Sequence, residues 1–113
     1  MTKDVASLFS VRSIYRRSSP TDATQRYSYE ERVVLFAATS LDDAIAQAEL
    51  EATDYCCDSD TKSMNYFMAY ELVEDKVVSG SEVFSLIRDS DLDADDYIDL
   101  HFDTGRERAQ SSD

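Results

Sequence analysis

Two glycines, one proline, one histidine and no tryptophan in 113 residues leave several kinds of chemistry without their raw material. Gly80 and Gly105 stand alone, so no clustered-glycine loop is present to cradle a phosphate. His101 has no second histidine or cysteine at ligand spacing, which leaves a transition-metal site short of donors. A nucleophilic triad would depend on that same histidine as its base, and no serine sits in an elbow motif. Cys56 and Cys57 are adjacent, which suits neither spaced zinc ligands nor an ordinary disulfide framework; they read as reduced thiols near a helix end. No apolar run approaches the roughly 18 residues of a membrane span, and the start lacks a signal-peptide pattern, so the expected location is cytoplasmic.

Cations are also scarce. Eleven Lys and Arg against 24 Asp and Glu give a formal charge of −13. A nucleic-acid backbone or an anionic membrane would be repelled, so a basic partner or none is expected. No cofactor and no metal are expected. With 42% hydrophobic residues, seven tyrosines and five phenylalanines, the chain is nonetheless too apolar for acidic disorder. Its length fits one domain able to bury roughly 65% of its extended surface.

In chain order, residues 1–4 read as a disordered start, 5–104 as a single domain and 105–113 as a flexible polar tail without an apolar anchor. Val5 to Arg17 is strand-like. The turn formers around Pro20 then make a loop, and Tyr27 to Ala38 resumes a strand. From Val33 onward both parities of that second strand are apolar, so both sheet faces should be covered there. Ser40 is a helix N-cap, with Asp42 and Asp43 complementing the helix dipole. Leu41, Ala44, Ile45, Ala48, Ala52 and Tyr55 then share one helix face, with Gln47, Glu49, Glu51 and Asp54 opposite. Met64 to Val73 is a third strand, Ser79-Gly80 a turn and Val83 to Ile87 a fourth strand. Asp93 then caps a helix from Ala94 to about Phe102, whose Tyr97, Leu100 and His101 should close over the core.

The expected fold is therefore α+β: an antiparallel four-stranded sheet in ββαββα order, with the helices packed on it. One sheet face would still expose Tyr, Phe and Met side chains, which points to a homodimer or a protein partner.

The Asp-dense run Asp89, Asp91, Asp93, Asp95, Asp96 invites a calcium reading. Started at Asp89, an EF-hand loop meets Ala94 where glycine is needed and Leu100 where the bidentate Glu belongs; started at Asp91, it does no better. A solvated helix N-terminus is the better account. Glu31 points to one face of its strand, and Glu30 with Arg32 to the other. Arg12 and Arg88 are candidate ion-pair partners for this group, and structural pairing outweighs paired-carboxylate catalysis. Arg88, at the junction of the last strand and the acidic turn, should pair with Glu31, Asp89 or Asp91. The candidate binding residues are Tyr29, Glu31, Arg32, Tyr66, Tyr70, Arg88, Asp89 and Asp91, with no catalytic set among them.

Phe9-Ser10-Val11-Arg12 with Ile14-Tyr15, the run Tyr29 to Phe36, and above all EVFSLIRDSDL followed by Tyr97, Phe102-Asp103-Thr104-Gly105 and Glu107 together resemble the small bacterial family catalogued as domain of unknown function 4288. The similarity spans about residues 9–107 and implies a single-domain cytoplasmic bacterial protein. It brings no established activity. Three readings follow, in order of weight. The first is a non-enzymatic interaction module, immunity- or antitoxin-like, binding a basic partner. The second is a small-molecule binder or enzyme using a Tyr/Glu/Arg pocket on the sheet face. The third is an acidic nucleic-acid mimic.

Overall fold

The computed structural model describes residues 6–20 and 22–102, so the expectations for 1–4 and 105–113 fall outside the described residues. The alternating and β-branched runs form β1 (Ser7–Arg17) and β2 (Ser28–Ala38), an antiparallel hairpin in register from Ser7↔Ala38 to Arg17↔Ser28. After the helix α1 (Leu41–Tyr55), the third strand β3 (Thr61–Glu71) returns antiparallel to β1 on its other side. The sheet order is β2-β1-β3, with β1 in the centre.

Register between β1 and β3 slips between Ser13 and Tyr15: Phe67 faces Ser13, whereas Ser63 faces Tyr15. Four steps of β3 thus match two of β1. Asn65 takes up the excess in the left-handed region at φ 58, which an Asn tolerates better than most residues, while its N–H reaches Ser63 Oγ.

Helix α1 starts where the side chains dictate. Ser40 Oγ accepts from the Asp43 N–H at 3.0 Å, and Asp43 Oδ2 in return accepts from the Thr39 N–H at 3.0 Å. The helix ends at Cys56, whose N–H still reaches Ala52, because Asp58 Oδ1 then captures the amides of Asp60 and Thr61. Ala44, Ala48 and Ala52, four residues apart, form its buried stripe. They lie against Phe9, Val11 and Ala38, flanked by Phe36, Phe67 and Ala69. Small side chains on the helix let it sit close to the larger ones of the sheet.

The described residues form three strands rather than the expected four, in ββαβα order. Val83 to Ile87 is strand-like in composition but joins no ladder. A turn at Val78–Ser81, closed by the Ser81 N–H to Val78 O and by Ser81 Oγ to the Val78 N–H, steers the chain out of the sheet plane; Gly80 supplies its φ of +92. Side chains then hold the segment across the sheet face. Glu82 accepts from the Tyr70 hydroxyl, and Phe84 lies 6.1 Å from the Tyr70 ring and 5.8 Å from the Arg12 guanidinium carbon. Strand propensity reports a side chain's fit to a pleated surface; pairing requires an edge in register as well.

The second helix, α2 (Ala94–His101), has its expected N-cap, with Asp93 Oδ1 accepting from the Asp96 N–H at 3.0 Å. It does not close over the core. None of its residues is buried, and it contacts neither α1 nor any strand. Tyr97, His101 and Phe102 stack on one another instead.

Because Ala44 is wholly buried at the helix–sheet contact, Ala44→Leu has no space to fill. It is expected to cost about 1–3 kcal/mol, read as a lower urea midpoint at unchanged slope.

Candidate functional site

The strict alternation of β2 divides its side chains between two environments. Even residues face α1; odd residues face away and are exposed from Tyr29 to Ala37. Glu31 and Arg32, both candidate binding residues, therefore lie on opposite faces, as the alternation of the sequence implied.

On the α1 side, the even residues build a polar knot at the C-terminal end of the helix. Arg32 forms a bidentate pair with Glu51, both contacts at 3.0 Å, and its guanidinium carbon lies 3.6 Å from the Tyr55 ring centroid. The fully buried Tyr15 packs edge-on against Tyr55 at 5.0 Å, and its hydroxyl accepts from Ser13 at 2.9 Å. Glu30 accepts from the Tyr55 hydroxyl at 2.6 Å and from Arg17 at 3.4 Å, while Arg17 also donates to Thr61 Oγ1 at 2.9 Å. Guanidinium stacking and fork geometry both require arginine at position 32. Each carboxylate here is matched to a donor on another element, so the knot ties α1, β1, β2 and the start of β3 together. It is a brace, and its carboxylates and guanidiniums are all paired with one another or with neighbouring hydroxyls.

Sequence reasoning placed Glu51 on the helix's solvent face and gave Tyr55 no partner. The usable signal was Arg32 itself, a cation on the parity that faces the helix, which demands an acid from that helix. Gln47, also assigned outward, turns back so that its Nε2 donates to the Ala37 carbonyl at 2.9 Å.

The opposite face is half covered. Under the 82–84 crossing, Ser10 is buried, and its Oγ has no hydrogen-bond partner among the described residues. Arg12 pairs with Glu31 there, as the sequence suggested. Over β2 the odd residues are exposed among the described residues: Tyr29 is 60% exposed, Val33 49% and Leu35 41%. At the hairpin end, Arg16 stacks 4.3 Å from the Tyr27 ring and Arg26 5.5 Å from it, with Tyr29 at 6.3 Å from Tyr27. Lys62 neighbours Arg16 across the ladder. Despite the acidic chain, this face is locally cationic.

The remaining sequence candidates are dispersed. Tyr66 is exposed beside the bulge, and Tyr70 is taken by Glu82, a bond that raises its hydroxyl above the ordinary value. Arg88 donates to the Tyr97 hydroxyl at 3.1 Å, and no carboxylate among the described residues pairs with it, contrary to the expected ion pair. Asp89 and Asp91 are exposed on the turn before α2. Among the described residues, no three His, Cys, Asp or Glu side chains converge as metal donors. Nor is any helix long and apolar enough to cross a membrane.

A groove of about 360 Å³ runs between α1 and β3, with Thr53, Cys56, Ser63 and Asn65 in its walls. Burial pushes the Cys56 thiol up, aided by Asp58 and opposed by the Ser63 backbone, so the thiol is protonated at neutral pH and a poor nucleophile.

No family model matches the chain, and neither the curated proteins nor the solved structures contain a match.

Two outcomes test the brace. Arg32→Lys keeps the charge but loses the fork and the stack, and is expected to cost about 1–2 kcal/mol in chemical denaturation. The Tyr55 hydroxyl is raised, first by burial and then by its bond to Glu30, with Arg32 and Arg17 opposing. A raised folded value means that the stability it confers is intact below the unfolded value near pH 10 and is lost as pH rises through the folded one. Unfolding free energy against pH should therefore fall on the alkaline side above about pH 10, and less steeply in Tyr55→Phe.

Proposed function

We propose that this chain is a non-enzymatic protein–protein interaction module whose contact surface is the odd-numbered face of β2. The observation that carries the reading is the stripe Tyr29, Val33, Leu35, exposed along one edge strand and covered by no element among the described residues. Apolar side chains aligned on a rigid strand bind without loss of backbone entropy, and partners of a sheet face are recognised by such alternate side chains. The polar groups nearest to a catalytic constellation are spent on the brace beneath α1, which favours binding over chemistry. Net charge alone favours a basic partner, as an immunity- or antitoxin-like protein would have. The local charge of this face argues for something else: Glu31 neutralises Arg12, and Arg16, Arg26 and Lys62 remain to meet an acidic, apolar segment.

The test is a double variant, Val33→Glu with Leu35→Glu. Both positions are solvent-exposed, so thermal unfolding should move little, within about 0.5 kcal/mol. Association, measured as self-association by sedimentation and as partner capture after in-cell crosslinking, should weaken about tenfold or more. Unchanged association in both assays would overturn the reading.

A further inference from the structure

Helix α2 has only eight residues and packs against no other element. An isolated helix that short is not stable in water, because nucleation costs more than two turns of hydrogen bonds return. No described element covers it. Its arm, residues 87–102, presents Ile87 at 88% exposure and Leu100 at 63%, with Leu92, Ile98 and Phe102 also exposed. Around them stand Asp89, Asp91, Asp93, Asp95, Asp96 and Asp99 against Arg88 alone. The arm is thus apolar and acidic, while the open face of β2 is apolar and cationic. Each copy carries both halves of a complementary pair, and among the described residues α2 makes no contact with its own sheet.

We infer that the arm of one copy docks on the β2 face of a second, and the second copy's arm on the first, giving a closed two-fold dimer. The inference rests on the interaction-module reading and names its partner. Reciprocal exchange closes the assembly, because both faces and both arms are then used and no sticky surface remains to propagate a fibre. It also reconciles repulsion between two copies of charge −13 with association, since the contact itself joins opposite charges and is screened as salt rises. Tyr29, Val33 and Leu35 receive the arm's Leu92, Ile98 and Leu100, while Arg16, Arg26 and Lys62 flank the arm's aspartates.

The experiment is sedimentation of the full chain over a range of concentration and salt, with two charge-reversed variants. One reverses the face, Arg16→Glu with Lys62→Glu. The other reverses the arm, Asp91→Lys with Asp99→Lys, positions that leave the Asp93 cap intact. Wild type should be a dimer that weakens with salt, each variant alone should be monomeric, and a mixture of the two should form the heterodimer. A wild type that is monomeric at every concentration, or a dimer indifferent to arm reversal, overturns the arm exchange. The two readings fail separately. If Val33→Glu with Leu35→Glu abolishes association while arm reversal does not, the β2 face stands and the arm falls; if neither has an effect, both fall.

Discussion

A sheet has two faces, and this chain packs a helix on only one of them. β1 takes β2 on one side and β3 on the other, so both ladders of the sheet run through that central strand. Its odd side chains, Phe9, Val11, Ser13 and Tyr15, are buried beneath α1 and fix where the helix lies. Once they are spent on α1, the even side carries what is left: an arginine-rich row, a buried serine and a partial cover made by the crossing segment after β3. The asymmetry of the described molecule, closed on one side and partly exposed on the other, follows from the placement of a single helix.

The two ends of α1 are secured by different means. At its N-terminal half, alanines allow close approach, and dispersion with apolar burial does the holding. At its C-terminal end the sheet presents Glu30 and Arg32 on the same face, charges that would be costly to desolvate alone. Glu51, Tyr55 and Arg17 satisfy them in a mutual lattice in which each guanidinium also lies near an aromatic ring or hydroxyl. Such a lattice adds geometric specificity: helix rotation by one residue would break the Arg32 fork and the Tyr55 bond together. The groups most reminiscent of an active site are therefore accounted for as fasteners.

Local signals were legible wherever the deciding atoms are neighbours in sequence. Ser40 and Asp93 cap their helices through amides three residues on, and the strict alternation from Ser28 to Ala38 separates Glu31 from Glu30 and Arg32. The pairing of Arg12 with Glu31 was within reach for the same reason, since a hairpin brings facing parities together. The Val83–Ile87 segment misled because its composition suits a strand while its destination is set by the turn at Val78–Ser81 and by Tyr70, which holds Glu82. Arg88 likewise had acids beside it in sequence, yet the chain direction past Ile87 gives it Tyr97.

The apolar parity of Val33 and Leu35 was read as a demand for cover on both faces; among the described residues that face is exposed. By itself the sequence determined the hairpin, the two capped helices, the division of β2 into two faces and the exclusion of clustered-glycine and spaced-ligand motifs, all of which depend on short-range geometry and residue type. Only the tertiary structure decided that the sheet stops at three strands, that Glu51 and Tyr55 complete the brace, and that the β2 face and the α2 arm are both left open. Those outcomes turn on where a segment lands in space, and that is governed by turn direction and by side chains far away in the chain rather than by the segment's own propensity.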